Sequence, residues 1–288
     1  MAYKSILVPI TGAETATNTL DLAFRVAASF GAHVDGLHIQ RDLSDPAQIH
    51  WAHDRVSSMA GAIEGLRHAI ERIGEEAKVA FDRQAASHGI EQSVVPLESD
   101  GPTSGWLTVT GTEVDEVATR GGAYDLLVVG RPLAKSDGSD RQIAEAAIFG
   151  TGRPVMLSPP ERPETLARHV LIAWNRGIPA GRAVTAALPL LKQADKATVL
   201  TVTTGAKRGP SAEAVVQQLA WHSIAAEVKE VAPDYRRVGE ALLEEANTLG
   251  ADILVMGGYS HSRLRERILG GVSVDIMGHA EMPVLIVQ

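Results

Sequence analysis

Residues 253–257 read Ile-Leu-Val-Met-Gly, and residues 126–130, in the first half of the chain, read Leu-Leu-Val-Val-Gly. A second pair of similar runs follows in both halves, Pro-Val-Met-Leu at 154–157 and Pro-Val-Leu-Ile at 283–286. Apolar runs of this length, rich in Val, Ile and Leu and bounded by Gly or Pro, are typical of buried β-strands. The two halves therefore carry the same strands in the same order.

The repeat extends to the start of each half. Residues 5–9 read Ser-Ile-Leu-Val-Pro, and residues 169–173 read His-Val-Leu-Ile-Ala; an Ala-rich helical segment follows each run. Self-similarity of this kind indicates two copies of one fold. We predict domains at residues 1–158 and 167–288. The segment between them is rich in proline, which neither a helix interior nor a central strand tolerates, so it is predicted to be a linker.

Strands and helices alternate within each predicted domain. In the second half, the predicted strands are 169–174, 197–203, 227–232, 252–257 and 283–287. The predicted helices lie near 179–193, 211–224, 236–249 and 272–280. Continuously apolar strands are buried on both faces, which indicates a parallel sheet covered by helices. Right-handed crossovers then give an α/β fold of two tandem doubly wound parallel-sheet domains.

The first half is longer between its second and third strands. This segment, residues 41–91, has a much shorter counterpart in the second half. Most of the excess, near residues 47–88, is predicted to form one long helix or two.

The composition excludes several classes of protein. The chain has 288 residues, of which 45% are hydrophobic and 22% charged, so a disordered or fibrous chain is excluded. The lack of cysteine excludes disulfides, thiolate catalysis and Cys-based zinc sites. A net charge of −8 argues against a nucleic-acid partner, and no apolar run approaches the roughly 20 residues of a membrane span. We expect a cytoplasmic protein with neither a nucleic-acid nor a membrane partner.

No metal site or catalytic group is expected. His50 and His53 could share a helix face, but no third ligand accompanies them, and solvated histidines are the simpler interpretation. Paired carboxylates do not stand out at the predicted strand ends, where catalysis would be expected. We therefore predict that the protein is not an enzyme, although weak ATPase activity remains open.

A ligand is expected beyond the carboxyl ends of the strands. In the second half this edge carries Gly257 and Ser260, and then Gly270 and Gly271 before the last helix. Glycines let the backbone approach a ligand, and the free amides at a helix N-terminus bind phosphate. The amides of Gly271 and Val272 and the hydroxyls of Ser260 and Ser273 are the candidate donors. The alternative is a tight turn followed by a helix cap.

The same segment resembles a known family. Residues 257–273, followed by 279–287, resemble the C-terminal signature of the universal stress proteins. The strand at 169–174 and the Ala-Leu-Pro-Leu-Leu run at 187–191 are similar to that family as well. The doubled layout then resembles a tandem universal stress protein. This resemblance implies two Rossmann-like domains of the adenine nucleotide alpha hydrolase-like type and a role in the stress response.

The resemblance also implies a nucleotide ligand. Some family members bind ATP through a Gly, two residues, a second Gly, nine residues, and a Gly followed by Ser or Thr. The matching positions here are Gly257, Ser260, Gly270 and Gly271, so two of the four depart from the motif. The resemblance implies that the second half binds ATP or a related adenine nucleotide, with Mg²⁺ as a possible companion.

Neighbouring positions depart from the family pattern too. Family members that bind nucleotide place an acidic residue just after the first strand, where this chain has Asn175 in the second half and Thr11 in the first. Trp174 could stack on a base or be partly buried in the sheet. In the first half, Gly130 is followed by Arg131, and the later glycine pair is absent. A phosphate cradle of backbone amides is therefore expected in the second half only.

Two further functions remain open: an interaction module that has lost nucleotide binding, and a weak nucleotide hydrolase. In family dimers the last strands pair across the interface, so the resemblance implies an intramolecular pseudo-dimer in which residues 155–157 pair with 284–287. This pairing would remove two exposed sheet edges. Further association into a homodimer is left open.

Overall fold

The computed structural model describes residues 2–40, 59–93, 95, 101–132, 139–205, 209–258 and 271–288. Within these ranges the chain forms a single sheet of eleven strands and eight helices. The predicted α/β class is confirmed. In the described part of the chain, no helix combines the length and the apolar character needed to cross a membrane.

The first half contributes six strands and four helices to the described structure. They are β1 (Ser5–Ile10), α1 (Ala13–Phe30), β2 (His33–Gln40), α2 (Met59–Ser87), β3 (Glu91–Gln92), β4 (Thr103–Thr110), α3 (Glu113–Gly121), β5 (Leu126–Val129), α4 (Ser139–Gly150) and β6 (Val155–Leu157). The predicted long helix is present as α2, and the part of that prediction before residue 59 lies outside the described residues.

The second half contains the predicted five strands and four helices, and their ends agree with the predicted ends to within three residues. They are β7 (His169–Ala173), α5 (Ile178–Leu191), β8 (Lys196–Val202), α6 (Ala212–Trp221), β9 (Glu227–Val231), α7 (Val238–Leu249), β10 (Ile253–Gly257), α8 (Gly271–His279) and β11 (Val284–Val287). The continuous Val, Ile and Leu runs are strands because both of their faces are buried.

One continuous sheet joins the two halves. The strand order is β3-β4-β2-β1-β5-β6-β11-β10-β7-β8-β9, and all pairs are parallel except β6 with β11. At this antiparallel joint, Leu157 is in register with Val284 and Val155 with Ile286. The predicted pairing of residues 155–157 with 284–287 is confirmed, and neither strand is left as an open edge.

Helices cover both faces of this sheet. One buried cluster includes Phe24 of α1 and Val184 of α5, and the cluster on the other face includes Ile143 of α4 and Ile276 of α8. Each cluster draws residues from both halves of the chain, so each layer of the core is shared between them.

Each half has an equivalent aspartate at the amino ends of its central strands. Asp125, just before β5, accepts hydrogen bonds from the backbone N–H groups of Lys4 and Ser5 at 2.8 and 3.1 Å. Asp252, just before β10, accepts from the corresponding N–H groups of residues 168–169 at 3.0 and 2.9 Å. The same residue type therefore ties the same two strands together in each copy.

The first half departs from the repeat at its outer edge. The sequence places the third strand after Glu91. Among the described residues there, the structure has the two-residue β3, and the longer β4 pairs with β2 along its full length. The burial of β4 is irregular, with Thr108 and Thr110 exposed, because β4 lies near the edge of the sheet. This mixed pattern explains why no continuous apolar run marks β4 in the sequence.

Candidate functional site

The predicted site lies at a switch point of the sheet. β7 and β10 are neighbouring parallel strands, yet the chain leaves them in opposite directions, toward β8 and toward β11. Such a point leaves a crevice beyond the carboxyl ends of the strands, where open α/β sheets bind their ligands. Asn175 follows β7 and Gly257 ends β10, so the structure brings these two predicted residues to one crevice. Ser260 and Gly270 lie outside the described residues, as do His50 and His53.

Gly257 is packed against the start of α5. A Cβ atom at this position would lie 2.6 Å from the backbone carbonyl carbon of Pro179 and would also collide with the backbone nitrogen of Ala180. Only glycine permits this approach of the helix to the strand end. The described contact of Gly257 is thus with the helix, a packing role at a switch point that glycines of nucleotide-binding folds also serve.

Asn175 and Trp174 face different environments. The Asn175 side-chain oxygen accepts a hydrogen bond from the backbone N–H of Gly177 at 3.0 Å and so shapes the turn into α5. Trp174 is only 6% exposed, and its indole N–H donates to the carbonyl of Pro210 at 3.0 Å. Trp174 is therefore a core residue, in agreement with the alternative that it is buried in the sheet.

The first residue of α8, Gly271, is exposed to solvent, and Ser273, two residues later, is buried. No atom of the described residues lies within 4 Å of the place where a side chain at Gly271 would begin. Val272 is half-buried, and Ser273 is only 4% exposed. The helix itself is held by the buried Asp275, which pairs with Arg237 beside α7. The structure thus offers the first amides of α8 to a ligand more readily than the Ser273 hydroxyl.

The first half has its own crevice at the equivalent place. A cavity of about 380 Å³ lies beyond the carboxyl ends of β1, β5 and β6. The cavity is lined by polar groups from α1, from α4 and from the strand ends, together with prolines and a few apolar side chains. The polar side chains at its wall are Thr11, Thr17, Asn18, Thr19, Arg131, Asp140 and Ser158.

Arg131 is the unusual member of this wall. The residue is 8% exposed, and its Nε and Nη2 atoms are buried without a hydrogen-bond partner among the described residues. Burial lowers the pKa of Arg131 to about 10, and the carboxylate of Glu281 opposes that shift, so the guanidinium is charged at neutral pH. In the sequence, Arg131 stands out only as a departure from the family pattern. A cation directly after a strand-ending glycine at a switch point is the signal that could have found it.

Two buried hydroxyls accompany Arg131. Thr19 of α1 and Ser158, just after β6, lie 2.9 Å apart, and each residue is 3% exposed. One hydroxyl uses its proton in this mutual bond, and the other still has a proton to donate. The cavity therefore combines a buried cation with a hydroxyl pair.

The fold and the switch-point crevices define an α/β protein with one largely parallel sheet, built from two similar halves. Residues 167–288 match the model of the universal stress protein family, so the second half is a universal stress protein domain. No curated protein matches the chain in sequence.

Solved structures match the fold of the whole chain. A universal stress protein from Archaeoglobus fulgidus is 15% identical, with a TM-score of 0.72 over 99% of this chain and 98% of its own. A functionally unknown protein from Pseudomonas aeruginosa is 13% identical, with a TM-score of 0.58 over 99% and 92%. The cytoplasmic domain of a prokaryotic cation chloride cotransporter is 13% identical, with a TM-score of 0.52 over 99% and 95%. These likenesses span both halves, so they show the two-domain fold that the sequence predicts.

Proposed function

We propose that this chain is a tandem universal stress protein whose second domain binds ATP or a related adenine nucleotide and acts as a stress-response regulator. The observation that carries the proposal is the open first turn of α8, beginning at Gly271, in the domain that matches the family. Backbone N–H groups at a helix start are unpaired within the helix, and the helix dipole adds positive potential there. Both features favour a phosphate group.

The rest of the crevice suits a nucleotide without requiring charge. Asn175, at the end of β7, supplies a neutral carboxamide where an acidic residue would otherwise stand. A carboxamide both donates and accepts hydrogen bonds, so it can serve a ribose hydroxyl or an adenine edge. The close packing of Gly257 on α5 holds the helix against the carboxyl end of β10, beside the end of β7.

The experiment is a calorimetric titration with ATP and Mg²⁺ of the whole chain and two variants. Gly271→Asp places a carboxylate in open space at the helix start, where the helix dipole favours an acidic residue, so the variant should fold. We expect it to weaken ATP binding at least tenfold through charge repulsion. Gly278→Asp adds the same charge in equally open space at the other end of α8 and should leave binding unchanged.

Two results would reject the proposal. One is the absence of heat and of thermal stabilisation at millimolar ATP, because a ligand at 100 times its dissociation constant stabilises the folded state by about 2.7 kcal/mol. The other is an equal loss of affinity in both variants, which would reflect net charge rather than a site. The first result would favour the alternative of an interaction module without a nucleotide.

A weak nucleotide hydrolase is the remaining alternative, and we propose that turnover is slow or absent. Within the described residues no group of three His, Asp or Glu side chains is arranged to hold a metal ion. Phosphate release that exceeds the background and disappears in both Asn175→Ala and Ser273→Ala would support the hydrolase instead.

A further inference from the structure

The guanidinium of Arg131 is buried, and its hydrogen-bond donors are only partly satisfied. A charged group loses its hydration when it is buried, and it is stable there only when hydrogen bonds or opposite charges replace the lost water. Arg131 is 8% exposed, and two of its three nitrogens are buried without hydrogen-bond partners among the described residues. The described part of the protein therefore leaves these N–H donors without hydrogen-bond acceptors.

The two nitrogens without partners form a matched pair. Nε and Nη2 lie on the same edge of the planar guanidinium, so their N–H groups point in parallel. This edge fits two oxygens of one carboxylate or one phosphate, which is the geometry of the strongest Arg–anion contacts. The position of Arg131 in the wall of the 380 Å³ cavity gives such an anion room to bind.

The remaining polar groups of the cavity fit the same ligand. The buried Thr19–Ser158 pair retains one hydroxyl proton, and Thr11 closes the end of β1. The two nearby carboxylates do not complete the arginine. Asp140 lines the cavity and has an interaction of its own, and Glu281 acts on Arg131 through charge, yet Nε and Nη2 still lack hydrogen-bond partners in the described part of the chain.

We propose that the first-half cavity binds the oxyanion of a small anionic molecule, held by Nε and Nη2 of Arg131 with the Thr19–Ser158 hydroxyl pair beside it. The shared ligand chemistry is a phosphate or a carboxylate group. This site is separate from the proposed nucleotide site, because it lies in the other half and uses a side-chain cation instead of helix amides. At the corresponding place after β10, the second half has Gly258 and no cation.

The test measures thermal unfolding with inorganic phosphate and with malonate, using chloride at matched ionic strength as the reference. Wild type is compared with Arg131→Met, which keeps the length of the side chain and removes its charge. Arg120→Met is the matched control, since Arg120 is an exposed arginine of α3 that does not line the cavity. Gly271→Asp is included so that phosphate binding at α8 is separated from binding at Arg131.

We expect one of the two anions to raise the unfolding temperature of wild type in a saturable way. The Arg120→Met and Gly271→Asp variants should keep this response, and Arg131→Met should bind the anion about 10- to 100-fold more weakly, which is the usual loss for hydrogen bonds to a charged group. A response to phosphate alone identifies a phosphoryl ligand, and a response to malonate alone identifies a carboxylate.

A second readout distinguishes a ligand-binding arginine from a structural one. Without added anion, Arg131→Met should unfold at the same temperature as wild type or higher, because the substitution removes an incompletely paired buried charge. A clear decrease would show that the guanidinium has a structural partner and would overturn the proposal. So would an unchanged anion response in Arg131→Met, or the lack of any response beyond chloride in wild type.

Discussion

The two halves of this chain have the same switch point and different residues around it. In the first half, β1 and β5 lead to a cavity with the buried cation Arg131. In the second half, β7 and β10 lead to Asn175, to a glycine that is packed against a helix, and to the open start of α8. The opposite ends of the same strands have not diverged, because Asp125 and Asp252 make the same backbone contacts. The two halves are thus alike at the amino ends of these strands, and the residues of the two proposed ligand sites differ at the carboxyl ends.

The largest expected effect comes from the joint between the halves. Met156 of β6 is fully buried and in register with Leu285 of β11. Met156→Ala should cost about 2–5 kcal/mol of unfolding free energy, because it leaves a cavity in the shared core. If the sheet makes the halves one unit, calorimetry will show both halves unfolding at a lower temperature. A separate transition that is unchanged in one half would contradict a shared core.

The strand-end glycines give the sharpest contrast between the two crevices. Gly257→Ala should cost about 1–3 kcal/mol, since the added methyl group collides with the backbone of α5. Gly130→Ala should cost less than about 1 kcal/mol, because the nearest atom among the residues that the structure describes, Thr19 Oγ1, is 3.5 Å from the new Cβ. Urea unfolding of the two variants measures both values. Equal costs would mean that the crevices are packed alike.

The strand-tying aspartates should behave alike. Asp125→Ala and Asp252→Ala each remove the acceptor for two backbone N–H groups, so each should cost about 1–3 kcal/mol. The two costs should agree to within about 0.5 kcal/mol when measured by urea unfolding. A large difference would contradict the view that this edge of the sheet is the same in both halves.

The smallest expected effect is the pH dependence that Asp35 of β2 contributes in the first half. Burial raises the pKa of Asp35, but hydrogen bonds from His33 and Tyr124 and the charge of His33 lower it more, and the net shift is downward. The corresponding position of β8 carries Thr198, which does not titrate.

The sign of this dependence follows from the shift. A carboxyl whose folded pKa lies below its unfolded value of about 3.9 stabilises the protein above that pH, and the contribution is lost as the pH falls through the folded pKa. Tyr124→Phe removes the 2.7 Å hydrogen bond to Asp35 and should reduce the loss of stability in acid by less than about 1 kcal/mol. Thermal unfolding from pH 3 to pH 7 measures this difference. An unchanged acid dependence would show that the Tyr124 bond does not set the pKa of Asp35.

Local sequence was sufficient for the parts of the fold that are apolar and continuous. β7, β8, β10 and β11 could be predicted because each is a short run rich in Val, Ile and Leu whose two faces are buried. The β6–β11 pairing was implied by the family resemblance. β4 could not, since its edge position leaves a mixture of Thr, Ser and Trp that lacks a clear period.

The candidate site was less accessible to sequence reasoning. The environment of Arg131 depends on Thr19 and Ser158, which tertiary folding brings to it from distant parts of the chain. The burial of Trp174 likewise depends on Pro210, at the end of another loop. A strand-end residue can be found in the sequence, but its partners across the crevice depend on how the strands and helices pack.

The most direct test of the contrast between the crevices is a crystal structure of the whole chain grown with ATP and Mg²⁺ and with the small anion that stabilises it. We predict one nucleotide per chain, with its phosphates at the start of α8 beside Gly271, and a separate oxyanion on Nε and Nη2 of Arg131. A triphosphate bound against Arg131, with the second-half crevice empty, would contradict it.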